Sequence, residues 1–264
     1  MKLNSDQLKM FEQDGAIFPI KVLDETLLSH SRKGVMDVES VSEEMFPGLP
    51  FSHLFFSWAR DLVTQPSVLD AVESLLGPEL LVYATQLLIK PPRDPNFISW
   101  HQDGVSAGWY RWPAVAAWVA LEDSTMENGC MQIVTGSHQG GRLPHGPAPL
   151  ENNMLLNTDL VLSEIDESQV RSLVLKAGEM SLHHTSVVHG SLANRSDQKR
   201  VGFVIRFITP EYQYQHRKVP VFRVRGNKPC PHLHLWDQDL PDPAVAMDAW
   251  VAFQKNMRQS PVGK

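Results

Sequence analysis

Two residues in the segment SWHQDG, His101 and Asp103, have the spacing of a metal-ligand pair. Side chains two positions apart on a β-strand leave the same face, so a strand here would present an imidazole beside a carboxylate. A third ligand must come from a distant segment, and His189 in HTSVVHGS is a candidate because Gly190 beside it leaves room for a bound group. Two histidines and one carboxylate leave one side of a metal open, which is the ligand set of non-haem iron(II) oxygenases. An isolated HxD pair is more often a surface pair, so the interpretation depends on the residues after His189.

The segment after His189 predicts a cation on the metal-facing side. Residues 194–197 (NRSD) form a turn between SVVHGSL and KRVGFVIRF, so the two runs are predicted to pair as a hairpin. A turn centred between residues 195 and 196 places Ser191 opposite Arg200, on the face that carries His189. A guanidinium fork with a hydroxyl beside it is suited to the far carboxylate of a dicarboxylate such as 2-oxoglutarate. Without the hairpin, a surface salt bridge is the simpler interpretation of Arg200.

The same alternation predicts two faces for the run 200–208. Its even-numbered residues face the metal and its odd-numbered residues face away. Arg206 is therefore a second inward cation, which could bind a substrate carboxylate or neutralise a buried acid. The second, structural role is slightly favoured.

Substrate contacts are predicted in two segments. The first is GVSAGWYRWP directly after Asp103, where Trp109 would supply an aromatic wall and Arg111 a cation for an amphiphilic molecule with an acid group. Trp109 could equally pack the rim of a barrel. The second is the segment 141–160, which is rich in Pro, Asn and Gly, and its length predicts a functional lid.

Composition restricts the classes of protein that fit this chain. The 264 residues are 42% hydrophobic, enough for a sizeable core, and we expect a single domain. The net charge of −6 gives no electrostatic footprint for nucleic acid. The start is polar and the chain lacks a run of about 18 apolar residues, so we expect neither a secretion signal nor a membrane span. Cys130 and Cys230 lack CxxC spacing, which suits the reducing cytoplasm.

The order of elements predicts a helical part over residues 1–78, a β-rich core over 79–210 and an extension over 211–264 without an assigned role. The first helix is predicted over residues 5–13, ended by Gly15 and followed by a strand in AIFPI. A second helix is predicted from a Ser67 cap to Gly77. Many short strands after a helical start predict an antiparallel sandwich or barrel with helices packed outside.

With these motifs the sequence resembles the phytanoyl-CoA dioxygenase family, iron(II)/2-oxoglutarate oxygenases built on a double-stranded β-helix, a cupin-like jelly roll. The resemblance extends from FEQDGAIF to about residue 210, and its most specific parts are WHQDG, AWVALEDSTMENGCMQIVTGSH and HHTSVVHGSLANRSDQKR. It implies that His101, Asp103 and His189 bind the iron. It also implies that Arg200 and Ser191 bind the C5 carboxylate of 2-oxoglutarate.

The resemblance further implies co-substrate contacts for Gln86, in YATQLLIKPP, and for Trp118, in AAWVAL. A lysine that contacts the co-substrate in some members, farther upstream, has no counterpart that the sequence identifies. The implied reaction uses Fe(II), 2-oxoglutarate and O2 to hydroxylate an unactivated C–H bond of a small molecule, and it releases succinate and CO2. The substrate could be an amino acid, a natural-product intermediate or a molecule presented by a carrier protein. Related halogenases replace the carboxylate ligand by a small residue, so Asp103 favours oxygen insertion.

Two other functions use the same residues. A zinc hydrolase would activate water with the three ligands, but the sequence has no HExxH helix and Arg200 would have no role. A non-catalytic cupin-like binding protein would keep the barrel without the chemistry. His183 and His184 precede His189 in the same strand region, and only His183 shares its face; we expect His183 to be packed or hydrogen-bonded rather than a fourth ligand.

Overall fold

The computed structural model describes residues 2–41, 48–104, 113–146, 151–155, 159–160, 165–213 and 219–259. Its α-helices in these ranges are α1 (Ser5–Asp14), α2 (Glu25–Val41), α3 (Ser57–Thr64), α4 (Pro66–Leu76) and α5 (Ala246–Gln259). Its strands are β1 (Ala16–Lys21), β2 (Leu80–Lys90), β3 (Ile98–His101), β4 (Ala114–Ala120), β5 (Met131–Val134), β6 (His145–Gly146), β7 (Asp159–Leu160), β8 (Val170–Ser172), β9 (Glu179–His184), β10 (His189–Ser191), β11 (Arg200–Ile208), β12 (Pro220–Arg225) and β13 (His234–Leu235). None of the helices in the described ranges has both the length and the apolar character needed to cross a bilayer.

The strands form two main sheets. The larger has the order β1-β9-β4-β11-β2-β12-β13, and the smaller has the order β3-β10-β5-β8. Neighbours pair antiparallel except β12 with β13. Two facing antiparallel sheets with helices packed against the larger one confirm the predicted jelly roll.

The two faces of the larger sheet contact different surroundings. On β11 the odd-numbered side chains pack into the main core with α3 and α4, including Phe203 and Phe207. On the other face, the side chain of the even-numbered residue Val204 packs between the sheets with Met131 and Ile133 of the smaller sheet. The predicted alternation is therefore correct, and it follows from the two-residue period of a strand that is buried on both sides.

The predicted hairpin between SVVHGSL and KRVGFVIRF is wrong. Strand β10 pairs with β3 and β5 in the smaller sheet, whereas β11 pairs with β2 and β4 in the larger one. Residues 192–199 therefore cross from one sheet to the other. The turn residues of NRSD predicted a change of direction correctly, but turn chemistry does not determine which strands pair. Ser191 and Arg200 still face the same cavity because they face each other from opposite sheets.

Capping residues in the sequence predicted the bounds of α1 well and the start of α4 less well. Asn4 caps α1 through a reciprocal capping box with Gln7, and Gly15 ends it in the left-handed conformation. Helix α4 begins at Pro66, and the predicted cap Ser67 lies inside the helix with its hydroxyl donating to the Val22 carbonyl at 2.7 Å. Proline in the first turn is an alternative start signal that needs no capping side chain.

The C-terminal residues complete the larger sheet and cover its helices. Strand β12 pairs with the edge of β2, and α5 packs onto the segment before α3. The indole Nε1 of Trp250, a fully buried side chain, donates to the Pro50 carbonyl at 2.7 Å. These residues therefore support the fold, and the division into 1–78, 79–210 and 211–264 stays a prediction.

A glycine in α2 permits close packing behind the site strand β11. A Cβ on Gly34 would lie 2.1 Å from Cδ1 of Trp58, and the Trp58 ring stacks edge-on against Phe203 at 5.4 Å. Replacing Gly34 by Ala should lower the free energy of unfolding by about 1–2 kcal/mol, because overpacking outweighs the roughly 1 kcal/mol gained in helix propensity. Urea unfolding measures this change. Gly140→Ala, where the added methyl group meets open space, is the matched control, and a stabilised Gly34→Ala protein would contradict this packing.

Candidate metal centre

Three buried side chains converge between the sheets. His101 ends β3, His189 begins β10, and the two residues are direct partners across this antiparallel pair. Asp103 lies two residues beyond the end of β3, where the backbone is helical, so strand alternation does not set its direction. One ligand atom from each of the three side chains lies within 4.8 Å of the other two. The structure therefore brings together the three residues that the sequence predicted as ligands.

The hydrogen bonds of the two imidazoles leave the same nitrogen available in each. Nδ1 of His101 lies 2.9 Å from the Ser99 carbonyl, and Nδ1 of His189 lies 3.0 Å from the Val187 carbonyl. A carbonyl only accepts, so each Nδ1 carries the proton and each Nε2 keeps its lone pair. Burial, with the neighbouring imidazoles of His101 and His183, holds the pKa of His189 well below its usual value. His189 is therefore neutral, the form that binds a metal.

The Asp103 carboxylate is paired with a guanidinium from the opposite sheet. Arg206 donates from Nε to Oδ2 and from Nη2 to Oδ1, both at 3.0 Å. Burial alone would raise the pKa of Asp103, but the charge of Arg206 holds it well below its usual range. Arg206 thus neutralises a buried acid, the favoured of its two predicted roles. Its contact with substrate stays a prediction.

A cavity of about 390 Å³ opens beside these residues and contains a second cation. Arg200 is fully buried there, with its Nη1 donating to the Gly129 carbonyl. Its Nε and Nη2 have no hydrogen-bond partner in the described part of the chain. Burial lowers the pKa of Arg200 to about 10, so it remains charged at neutral pH. Two buried, unsatisfied donors on a cation are suited to a carboxylate.

Trp118 and Gln86 flank the cavity from strands on either side of β11. Both pair with Val204, Trp118 from β4 and Gln86 from β2. The Trp118 ring lies across Gly202, where a Cβ would be 1.9 Å from Cζ2, and it stacks 5.5 Å from the Arg200 guanidinium carbon. Glycine at position 202 is therefore required for this ring to lie flat over β11. Both side chains line the cavity, and their contact with the co-substrate stays a prediction.

Two buried polar residues near the site were missed or only partly understood from the sequence. Lys90 is fully buried, and its Nζ lies 2.8 Å from the hydroxyl of Ser191. It lies on the same face of β2 as Gln86, four positions earlier. This even spacing could have predicted from the sequence that Lys90 faces the site. His183 lines the cavity and packs 4.9 Å from the His189 ring, but neither of its ring nitrogens has a hydrogen-bond partner within the described ranges. Burial lowers its pKa to about 4, so it is a neutral imidazole.

Part of the segment that the sequence predicted as a lid lines the cavity, and its role as a lid stays a prediction. The segment 151–155 binds the start of β3 through hydrogen bonds between Phe97 and the backbone of Asn152 and Met154, each 2.8 Å long. The Asn153 amide donates to the Ser99 hydroxyl at 2.9 Å and so fixes the segment. Apolar side chains of Met154 and Leu155 line the cavity. Trp109 and Arg111, the other predicted substrate residues, lie outside the described residues.

The fold and the site together define a class of protein. A double-stranded β-helix that brings two imidazoles and one carboxylate to the same point between its sheets has the facial arrangement of non-haem iron enzymes.

Comparisons with known proteins identify the family. The model of the family described as Phytanoyl-CoA dioxygenase (PhyH) matches residues 52–202, more than half of the chain. The human protein "Phytanoyl-CoA dioxygenase, peroxisomal" is 27% identical over 158 residues, which are 57% of this chain and 46% of that protein. This chain belongs to the phytanoyl-CoA dioxygenase family, as its motifs predicted. It spans about half the length of the curated relatives that it matches.

Solved structures agree with this fold over nearly the whole chain. The non-heme monooxygenase ThoJ in its apo form is 32% identical, with a TM-score of 0.77 and coverage of 95% of each chain. Its nickel complex is 30% identical, with a TM-score of 0.72 and coverage of 96% of this chain and 99% of that chain. CytC3 with Fe(II) and alpha-ketoglutarate is 21% identical at a TM-score of 0.65, covers 90% of this chain and 94% of its own, and shares the fold.

Removal of one ligand tests whether the three residues bind a metal. We expect His189→Ala to lose at least about a hundredfold in affinity for manganese(II), a redox-inert stand-in for iron(II), because two ligands hold a divalent ion poorly. Anaerobic calorimetric titration measures the affinity, and the melting temperature checks the fold. His138→Ala, which removes an imidazole that packs against His184 and lies outside the three-residue group, should bind like the wild type. Unchanged affinity in His189→Ala would remove this residue from the site.

Proposed function

We propose that this protein is an Fe(II)- and 2-oxoglutarate-dependent dioxygenase that hydroxylates an unactivated C–H bond of a small molecule. The observation that carries the proposal is one cavity that contains both a three-residue ligand set and a buried guanidinium with two unsatisfied donors. The first feature suits a metal with open positions, and the second suits the distant carboxylate of a dicarboxylate. Their combination is what this reaction requires.

The donor set fits iron(II). His101 and His189 would bind it through their Nε2 atoms and Asp103 through its carboxylate, since each Nδ1 is already engaged with a backbone carbonyl. When bound there, the iron supplies O2 activation and the oxidative decarboxylation of 2-oxoglutarate to succinate and CO2. The similarity to the non-heme monooxygenase ThoJ, which has been solved as a nickel complex, supports metal binding by this chain.

The chain's own residues would bind and orient the reactants. Arg200 and Ser191 would hold the C5 carboxylate of 2-oxoglutarate, and the Trp118 ring beside Arg200 would keep that end of the cavity dry. Arg206 would fix the Asp103 carboxylate and hold Gln86, whose Oε1 lies 3.4 Å from Nη1 of Arg206. Rate would depend on how closely the target carbon is aimed at the reactive position.

The cavity walls favour a substrate with an apolar part and a polar group. Ile98, Met154 and Leu155 form an apolar wall, whereas His183 and Asn96 are polar residues at the same cavity. A small molecule of this kind, free or presented by a carrier protein, fits such a mixed lining better than a polyanion. Two buried free cysteines support a reducing location, so the proposal includes the cytoplasm.

The two rival functions leave a specific feature without a role. A zinc hydrolase would use the same ligands but would not need the unsatisfied donors of Arg200. A binding protein that has lost catalysis would not need two imidazoles that are both fixed at Nδ1 by backbone carbonyls beside a paired carboxylate.

Reconstitution separates the oxygenase from both rivals. Protein loaded anaerobically with Fe(II) and 2-oxoglutarate and then exposed to O2 should release succinate, with further stimulation by the correct member of a substrate screen. Zinc-loaded protein and His101→Ala should release only background succinate. If zinc-loaded protein hydrolyses test esters or amides while iron-loaded protein leaves 2-oxoglutarate intact, the hydrolase is the correct function.

The co-substrate role of Arg200 has its own test. Arg200→Met should weaken 2-oxoglutarate binding roughly 10- to 100-fold, because charge-assisted hydrogen bonds to the carboxylate are lost, while manganese(II) binding stays unchanged. Anaerobic titrations of each ligand measure both affinities. Arg195→Met, at an exposed position on the crossing between the sheets, is the control. Equal 2-oxoglutarate affinity in the two variants would contradict the assignment.

A further inference from the structure

Lys90, the last residue of β2, is a buried cation directly behind the proposed carboxylate subsite. Its side chain is fully buried, and its backbone pairs with that of Arg200. Its Nζ donates to the Ser191 hydroxyl at 2.8 Å, to the Ser191 carbonyl at 3.4 Å and to the Leu192 carbonyl. Lys90 therefore links the larger sheet to the end of β10 at the point where the two sheets enclose the cavity.

These contacts determine what the Ser191 hydroxyl can do. An ammonium group has only donors, so the Ser191 oxygen accepts from Lys90 and its proton must point to another acceptor. Ser191 lines the cavity. Its hydroxyl is thus set to donate to a group bound in the cavity.

The charges around Lys90 are unbalanced. The groups whose charges act on it are Arg200 of β11, Asp94 in the turn after β2 and the thiol of Cys130 beside β5. Asp94 already accepts from the backbone and side chain of Asn96. Burial first, and then the charge of Arg200, lower the pKa of Lys90 to about 7, although Asp94 and Cys130 act in the opposite direction. An anion at this corner would offset the excess positive charge.

We propose that Lys90 is a positioning residue of the carboxylate subsite, which aims the Ser191 hydroxyl into the cavity and adds a second positive charge to that of Arg200. The proposal rests on the function proposed above and concerns the dicarboxylate co-substrate. Lys90 acts through Ser191 and through its charge, without touching the carboxylate.

The proposal has a consequence for pH. A bound carboxylate favours the protonated form of Lys90, so co-substrate affinity is full at pH values where free Lys90 is charged. As pH rises above about 7, binding must include the uptake of a proton, and the affinity falls. The affinity loss ends where Lys90 also deprotonates in the complex.

The test is anaerobic calorimetry of 2-oxoglutarate binding to the manganese(II)-loaded full chain at roughly pH 6.5 and pH 8.5. Wild-type protein should bind about tenfold more weakly at the higher pH and should take up protons, seen as a dependence on buffer ionisation enthalpy. Lys90→Met should bind about tenfold more weakly than wild type at the lower pH and lose most of the pH dependence, with manganese affinity unchanged. Ser191→Ala should lose affinity but keep the pH dependence.

Lys199→Met is the matched control. Lys199 precedes Arg200 on the chain but pairs with Glu39 on the outer side, so its loss should leave both affinity and pH dependence as in the wild type. Equal affinity and pH profile in Lys90→Met and wild type would overturn the role of Lys90 alone. Failure of wild-type protein to bind 2-oxoglutarate would overturn the proposed function as well. If Lys90→Met does not fold, the wild-type measurement decides, and binding without proton uptake would overturn the proposal.

Discussion

The site depends on a buried carboxylate that is paired across the barrel. Asp103 follows β3 of the smaller sheet by two residues, and Arg206 reaches it from β11 in the larger sheet with two hydrogen bonds of 3.0 Å. An unpaired buried carboxylate would be protonated, and a protonated acid is a poor metal ligand. The pair keeps Asp103 ionised and fixes the distance between the sheets at the point where the two imidazoles enter. Breaking such a pair by removing one partner typically costs about 3–5 kcal/mol.

The sizes and charges of the surrounding residues follow from the space and the charge balance that the Asp103–Arg206 pair requires. One row of partners across the larger sheet contains Ala16, His183, Ala116, Arg206 and Ala84, so small side chains alternate with the two large polar ones. His183 and His189 are neutral, and Arg206 is matched by Asp103. Arg200, which lines the same cavity, pairs through its backbone with Lys90 and keeps two unsatisfied donors. The charge of the Asp103 carboxylate is therefore matched within the protein, whereas the charge of Arg200 is not.

The sequence predicted the residues of the site better than the connections that bring them together. His101, Asp103 and His189 come together as predicted, although two geometric expectations were wrong. Asp103 lies beyond the end of its strand, and β10 and β11 do not form a hairpin. Local turn signals contain no information on sheet partners, which depend on burial in the whole fold. Lys90 was missed for a related reason: a lysine at a strand end usually extends into solvent, and only the approach of β10 buries it. Helices α2 and α3 were missed because α2 contains Gly34, a poor helix former, and α3 is only eight residues long.

Anomalous diffraction from crystals soaked anaerobically with manganese(II) tests the central claim most directly, because it locates the metal without reference to activity. We expect one anomalous peak within bonding distance of Nε2 of His101, Nε2 of His189 and the carboxylate of Asp103, with Arg206 still bound to that carboxylate. A peak that one of these three side chains cannot reach, or a peak at another group of residues with the cavity empty, would contradict the account.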